Sequence, residues 1–226
     1  MQILKVDNLT KTYGSEERKV VALDHVSFSV EKGEFLAIMG QSGSGKSTLF
    51  HLIAGLDKPD CGKIYLNEMD IFSLKGDKLA EFRRREVGLI YQFYNLIPVL
   101  TVEENITLPI RLDKKKVDKE RLKKLIDLLG LSDRKLHLPN QLSGGQQQRT
   151  AIGRALFYEP SIILADEPTG NLDTSNSNDI IEHLEMLNER YSQTILIITH
   201  DKKIAQRANR IITLSDGKIE EDVKVR

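Results

Sequence analysis

The stretch "GQSGSGKST", Gly40 to Thr48, constrains this chain more than any other. It follows "FLAIMG" (Phe35 to Gly40), an apolar run with no polar alternation, and leads into Thr48 to Ala54, which reads as a helix. The spacing G-x-x-x-x-G-K-[ST] in that setting dictates a strand, a tight loop and a helix. Gly40, Gly43 and Gly45 let the backbone curl and bring its N–H groups close to a ligand. Those donors and the helix N-terminus favour negative charge, so the loop is built to cradle phosphate. Lys46 is placed for the β- and γ-phosphates of a nucleotide, and the Ser47 hydroxyl for Mg²⁺.

Two further apolar runs lack alternation: "IILAD" (Ile162 to Asp166) and "TILIITH" (Thr194 to His200). Such runs suit strands buried on both faces of a parallel sheet, with helices between them, and Ile180 to Leu187 reads as one of those helices. The first thirty-five residues differ. "ILKVDNLT" and "ALDHVSFSV" alternate apolar and polar, joined by the polar "YGSEERK", and predict antiparallel strands with one wet face. From about Thr101 to Leu156 the chain reads as helical. Leu122, Leu125, Ile126 and Leu129 form a core-facing stripe that Gly130 ends. "IITLSDGKIEED" carries Asp216-Gly217 between two strand-like runs, a hairpin signal. The expected fold is α/β: a mostly parallel sheet, an N-terminal antiparallel β subdomain and an inserted helical subdomain.

Carboxylates at the C-terminal end of a buried strand lie beside the phosphate loop in an open α/β sheet. Asp166 is thus a Mg²⁺ ligand, and Glu167 a base that polarises an attacking water. The competing reading makes Asp166 a helix N-cap and Glu167 a surface residue. His200 ends another buried run on the same edge, placed to contact a γ-phosphate and hold the water with Glu167; a core histidine is the alternative.

The chain has 226 residues, room for one large domain or two lobes, and at 40% hydrophobic it can bury a core. Its 33 basic and 33 acidic residues cancel, which argues against a general nucleic-acid binder. Arg83-Arg84-Arg85 and Lys114-Lys115-Lys116 read as solvated helix faces. The single cysteine, Cys61, excludes an internal disulfide and reads as a small semi-buried residue before a strand. No signal layout and no apolar run of membrane-spanning length is present, so a cytoplasmic protein is expected, reaching a membrane only through a partner.

"LSGGQQQRTAIGRAL" (Leu142 to Leu156) offers unhindered backbone N–H groups and a hydroxyl at the start of a helix, a second anion-binding device. Together these pieces resemble the ATP-binding subunits of ABC transporters over nearly the whole chain. Gly40–Thr48 is similar to the Walker A loop, which implies ATP contacts from Gly40, Gln41, Ser42, Gly43, Ser44, Gly45, Lys46, Ser47 and Thr48. Ile162–Glu167 resembles Walker B with its catalytic glutamate. Leu142–Gln146 resembles the signature, the most specific element. Gln92 matches the Q-loop, His200 the switch histidine, "NLD" (Asn171 to Asp173) the D-loop and Tyr13 the aromatic that stacks on adenine.

The resemblance implies a catalytic set of Glu167, His200 and Lys46, and Mg²⁺ ligands Ser47, Gln92 and Asp166. It also implies that Ser143, Gly144, Gly145, Gln146 and Asp173 serve a nucleotide bound by a second copy, so two chains enclose two ATP molecules. The remaining implied partner is an integral membrane permease, with the chain peripheral on the inner face of the cell membrane; no nucleic acid is expected. Residues 1–95 and 157–226 would form the RecA-like core and about 96–156 the helical subdomain. "YQFYNLIPVLTVEENI" and "DEPTGNLD" resemble the macrolide and peptide exporter, lipoprotein-release and cell-division group, with Tyr91 where phenylalanine is common and Cys61 where serine is usual. Leu96, Ile97, Val99 and Leu100 are candidates for a groove that takes the partner's helix, or for internal packing. A soluble ABC ATPase acting on DNA or ribosomes would usually carry tandem domains or long coiled-coil inserts. A monomeric P-loop kinase or GTPase leaves LSGGQ and His200 unexplained.

Overall fold

The structure, a computed structural model, describes residues 1–14 and 18–225. In chain order it runs β1 (Gln2–Tyr13), β2 (Val20–Glu31), β3 (Phe35–Gly40), α1 (Lys46–Ile53), β4 (Cys61–Leu66), β5 (Met69–Asp70), α2 (Asp77–Glu86), β6 (Val87–Tyr91) and α3 (Val102–Leu112). There follow α4 (Lys119–Leu128), α5 (Gly144–Leu156), β7 (Ile162–Asp166), α6 (Thr174–Tyr191), β8 (Thr194–Ile198), α7 (Lys202–Ala205), β9 (Arg210–Ser215) and β10 (Lys218–Lys224). One sheet has the order β2-β1-β4-β5 and is antiparallel. The other has the order β10-β9-β3-β8-β7-β6, parallel throughout except for the edge hairpin β9–β10. The predicted α/β class, antiparallel N-terminal strands and C-terminal hairpin are all present; part of "YGSEERK", residues 15–17, lies outside the described residues.

The unbroken apolar runs have a simple cause. Successive side chains of a strand point to opposite faces, and here both faces are covered. Leu36, Ile38, Ile162, Leu164, Leu196 and Ile198 pack into one core with α1 and the antiparallel sheet. Phe35, Ala37, Ile163, Ala165, Ile195 and Ile197 pack into a second core with α3, α4, α5 and α6. Each fully buried aliphatic side chain contributes about 1.5–3 kcal/mol. The α4 stripe joins the second core through Ile126 and Leu129, and Gly130, at φ 63°, ends that helix.

Three expectations need correction. Cys61 is exposed, as the first residue of β4 rather than a semi-buried residue before it. Lys114–Lys116 are solvated, but on the turn after α3 and not on a helix. Arg83, Arg84 and Arg85 do not form a solvated face. Arg83 donates to Gly55 O at 2.8 Å, while Arg84 and Arg85 both pair with Asp113, the C-cap of α3. The Asp113 side chain is only 2% exposed and also accepts the Tyr158 hydroxyl. Three separate stretches of chain thus meet on one carboxylate.

Burial alone would push the Asp113 carboxyl up, but the Tyr158 hydroxyl and the Arg85 and Arg84 guanidinium groups outweigh it and hold its pKa at about 2. A depressed carboxylate stabilises the fold above its unfolded pKa of about 3.9 and loses that contribution as pH falls through the folded value. Asp113→Asn should therefore cost about 2–3 kcal/mol at pH 7 in urea unfolding. The gap from the native chain should close between about pH 4 and pH 2; a gap constant with pH would contradict the assignment.

Candidate functional site

Register sets the site. Ile38 lies beside Ile198, Ile198 beside Asp166, and Asp166 beside Tyr91, one row across β3, β8, β7 and β6. The residues that follow this row, Gly40, His200, Glu167 and Gln92, emerge at one edge. There they line a cleft of about 650 Å³ with Ser42, Gly43, Gly45, Lys46, Ser47, Thr48 and Asp166.

The loop before α1 is shaped by Gly45, the helix N-cap, at φ 102°. A Cβ there would come within 2.3 Å of Ala22 O, so only glycine lets the loop lie against β2. The cap offers no side-chain acceptor, which leaves the first N–H groups of α1 facing the cleft. Lys46 donates Nζ to Gly40 O at 2.8 Å and to Gln41 O at 2.7 Å. Burial lowers its pKa, opposed by the carboxylates of Glu167 and Asp166. Ser47 is exposed in the cleft. Ser44 is instead buried beneath the loop, 3.4 Å from Lys46 Nζ, and Gln41 is exposed away from the lining.

Asp166 is the last residue of β7 and not a helix cap; α6 is capped seven residues later by Asp173. Burial raises the Asp166 pKa, and the neighbouring Glu167 charge adds to the rise. Glu167 adopts φ 45°, a left-handed conformation that costs a non-glycine residue on the order of 1–3 kcal/mol. Its N–H is held by Ile198 O at 3.0 Å. That twist separates its side chain from that of Asp166 and brings Oε1 to 2.7 Å from His200 Nδ1. The Glu167 side chain is 19% exposed and His200 76%, so neither the surface-glutamate nor the core-histidine reading survives.

No group of three His, Cys, Asp or Glu side chains suited to a metal occurs among the described residues. Mg²⁺ does not need one: it takes one or two carboxylates and completes its shell with phosphate oxygens and water. Ser47, Asp166 and Gln92 share the cleft and supply hard oxygen donors of that kind. The Gln92 carboxamide here donates to Asn171 Oδ1 at 3.3 Å, and Asn171 Nδ2 donates to Gln92 O at 3.0 Å.

Tyr13 stands at the rim, its hydroxyl on Asp57 Oδ2 at 2.7 Å. Its cross-strand partner Val20 lines the cleft and is 63% exposed. Val20 and Ala22 were not foreseen from sequence; the available signal was an apolar residue on the wet side of an alternating strand.

Ser143, Gly144, Gly145, Gln146 and Asp173 stand outside this cleft. The helix begins at Gly144, so both glycines and the glutamine run lie within α5. Ser143 caps it: Ser143 Oγ accepts from Gln146 N at 3.3 Å, and Gln146 Oε1 accepts from Ser143 N at 2.9 Å. The cap uses a lone pair and leaves the hydroxyl hydrogen free to donate. A Cβ on Gly145 would meet Asn176 Oδ1 at 2.3 Å, and Asn176 in turn holds both Asp173 carboxylate oxygens. These hydrogen bonds lower the Asp173 pKa.

A separate groove of about 450 Å³ runs between α2, β6, α3 and α5, with Leu89, Leu108, Pro109 and Leu112 in its walls. Of the four apolar candidates near Gln92, Ile97 and Val99 are exposed, while Leu96 and Leu100 are half-buried. None of the four lines the groove. No described helix is long and apolar enough to cross a membrane.

Residues 23–170 match the family described as ABC transporter. The chain is 43% identical to the uncharacterized ABC transporter ATP-binding protein MJ0796 of Methanocaldococcus jannaschii, covering 99% of this chain and 98% of the other. It is 42% identical to the lipoprotein-releasing system ATP-binding protein LolD of Cytophaga hutchinsonii, covering 96% and 99%. A solved dimer of MJ0796, in a post-hydrolysis state bound to ADP and Pi, superposes with a TM-score of 0.90 at 42% identity over 99% of both chains.

Gly45→Ala should force α1 away from Ala22 and weaken nucleotide binding about tenfold or more, read by titration with a fluorescent nucleotide. Unchanged affinity would show that the loop tolerates a side chain there.

Proposed function

The chain belongs to the ABC transporter family as an ATP-binding, ATP-hydrolysing subunit, and we propose that each active site is assembled from two copies of it. The observation that carries this reading is the separation of the two anion-binding devices. The cleft at Gly40–Thr48 holds the catalytic carboxylate, while Ser143 and the N-terminus of α5 lie outside it. The negative charge of a triphosphate needs more donors than one loop supplies, and the second set comes from a neighbour arranged head to tail.

In this reading Tyr13 and Val20 form the apolar shelf for adenine. Lys46 exchanges the carbonyl oxygens of Gly40 and Gln41 for phosphate oxygens. Ser47, Asp166 and Gln92 hold Mg²⁺, which neutralises phosphate charge when bound. Glu167 takes the proton of the attacking water, and His200 fixes the carboxylate through Nδ1 and reaches the γ-phosphate. Ser143, Gly144, Gly145 and Gln146 of one copy donate to the γ-phosphate held by the other, with Asp173 beside that interface. Association is favoured while γ-phosphate is present and relaxes after hydrolysis, a two-state switch.

Residues 1–95 and 157–226 act as the core and about 96–156 as a helical arm. The apolar groove beside that arm receives a cytoplasmic segment of an integral membrane permease, which places the chain peripherally on the inner face of the membrane. The likeness to the lipoprotein-releasing ATPase favours work on an amphiphile of the cell envelope over passage of a solute through an open channel.

Glu167→Gln should slow ATP hydrolysis about 10²–10⁴-fold and accumulate as an ATP-bound dimer in light scattering; a variant that stays monomeric at saturating ATP would count against the shared site. Ser143→Arg should abolish hydrolysis and leave ATP binding by the single chain nearly intact. Loss of binding in calorimetry would place the signature on its own chain's nucleotide.

A further inference from the structure

The helix pair α3 and α4 carries a concentration of positive charge that the ATP cycle does not use. Residues 111–124 hold eight basic and three acidic side chains, a net of +5 in a chain whose total is zero. Two of the three acids are already engaged. Asp113 lies between Arg84 and Arg85, and Asp118 caps α4 by accepting from Arg121 N at 3.0 Å. Lys114 takes φ 56°, the left-handed region that favours glycine, so a cation is kept where glycine would be unstrained.

The same two helices enclose a cleft of about 540 Å³. Arg111, Lys119, Lys123 and Lys135 stand around it, against the carboxylates of Glu103 and Asp127. Asp127 accepts the Ser132 hydroxyl. Among the described residues none of the four cations forms an ion pair. Val117, Leu122 and Ile126 give the cleft an apolar wall that continues into the second core. Cations beside an apolar wall suit a phosphate that carries a hydrocarbon body, with charge on the lysines and carbon on the wall. A free phosphate has no use for that wall. Single-stranded nucleic acid stacks on aromatic side chains, and none lines the cleft.

We propose that this basic cleft, with the turn at Lys114, Lys115 and Lys116, binds the headgroups of anionic phospholipids on the inner face of the membrane. The inference rests on the peripheral placement proposed above and adds a contact that needs no permease. Position supports it. Leu112, 59% exposed, ends α3 in the wall of the groove assigned to the permease, and the lysine turn begins two residues later. A chain held at that groove carries the turn and the cleft toward the headgroup layer. Each lysine near an anionic surface strengthens attachment about fivefold. Salt weakens it, because the Debye length falls from about 10 Å at 0.1 M to about 3 Å at 1 M. A second point of attachment beside the groove fixes the height of the helical arm under the bilayer.

The test sediments the full chain with vesicles that contain no permease. They are made of phosphatidylcholine alone, or of equal parts phosphatidylcholine and phosphatidylglycerol, at about 0.1 M and about 1 M salt. Binding to the mixed vesicles should be about tenfold tighter or more, and lost at the higher salt. Lys119→Gln, Lys123→Gln and Lys135→Gln together should weaken it about 10²-fold. The same change at the exposed Lys19, Lys32 and Lys224 should weaken it less than about fivefold. Neither triple variant should alter the unfolding midpoint or the ATPase rate without vesicles. If the cleft variant does not fold, Lys114→Gln, Lys115→Gln and Lys116→Gln together decide on the same readouts. Equal binding to both kinds of vesicle overturns the proposal, as do equal losses in the cleft and control variants. Calorimetric binding of glycerol phosphate without vesicle retention assigns the cleft to a soluble phosphate ester and overturns it too, as does capture of single-stranded RNA in preference to the mixed vesicles. A chain that binds the mixed vesicles but retains no permease from detergent-solubilised membranes bears out the lipid contact and counts against the groove alone.

Discussion

Everything at the cleft depends on the parallel register of β3, β8, β7 and β6. A row through Ile38, Ile198, Asp166 and Tyr91 aligns four strand ends, and the next residues of each strand supply the site. A slip of one residue on any strand would move its contribution by about 3.3 Å and turn it to the opposite face. Register is fixed because both faces are buried: Leu196 and Ile198 belong to one core, Ile195 and Ile197 to the other. Hydrophobic packing on two sides therefore determines the placement of Gly40, Glu167 and His200, which have little apolar surface of their own.

This rigidity allows the site to hold a conformation it would not adopt unaided. Glu167 keeps its left-handed backbone because Ile198 O accepts its N–H from the adjacent strand. Thr199 is anchored likewise, its N–H on Ile38 O, which brings His200 to the carboxylate. Two hydrogen bonds made by rigid strands thus set the one short contact on which the proposed proton transfer turns.

What was legible in the sequence was local. The loop at Gly40–Thr48, the ends of the buried runs and the hairpin at Asp216-Gly217 all depend on residues within about one element, where periodicity and turn chemistry act. What escaped was held by distant partners. Helix α2 has no fully buried side chain and so no apolar stripe; its run of arginines signalled a helix face, but not that Arg84 and Arg85 are tied to Asp113, about thirty residues away. β6 is short, and its place in the sheet comes from pairing with β7 more than seventy residues later. The true start of α5 was readable, since Ser143 and Gln146 stand in the S-x-x-Q spacing of a capping box. The need for glycine at Gly144 and Gly145 was not readable, because it comes from Tyr94 and Asn176, which leave no room for a side chain at either position.

The proposed division of one catalytic centre between two copies accounts for a feature that is wasteful in a self-contained enzyme. Ser143 uses its oxygen to cap its own helix, and the first N–H groups of α5 have no acceptor one turn back. A soluble enzyme acting alone could place those donors in its own cleft and hydrolyse ATP without any other change. In the proposed shared site, setting them outside makes hydrolysis conditional on association, because the donors reach phosphate only across an interface. Association then rises and falls with the charge of the γ-phosphate, and the work of the cycle is available to whatever is attached to the moving halves. The groove between α2, β6, α3 and α5 lies against the same helix that Ser143 caps, so in the proposed reading a partner segment docked there moves with the event that closes the site.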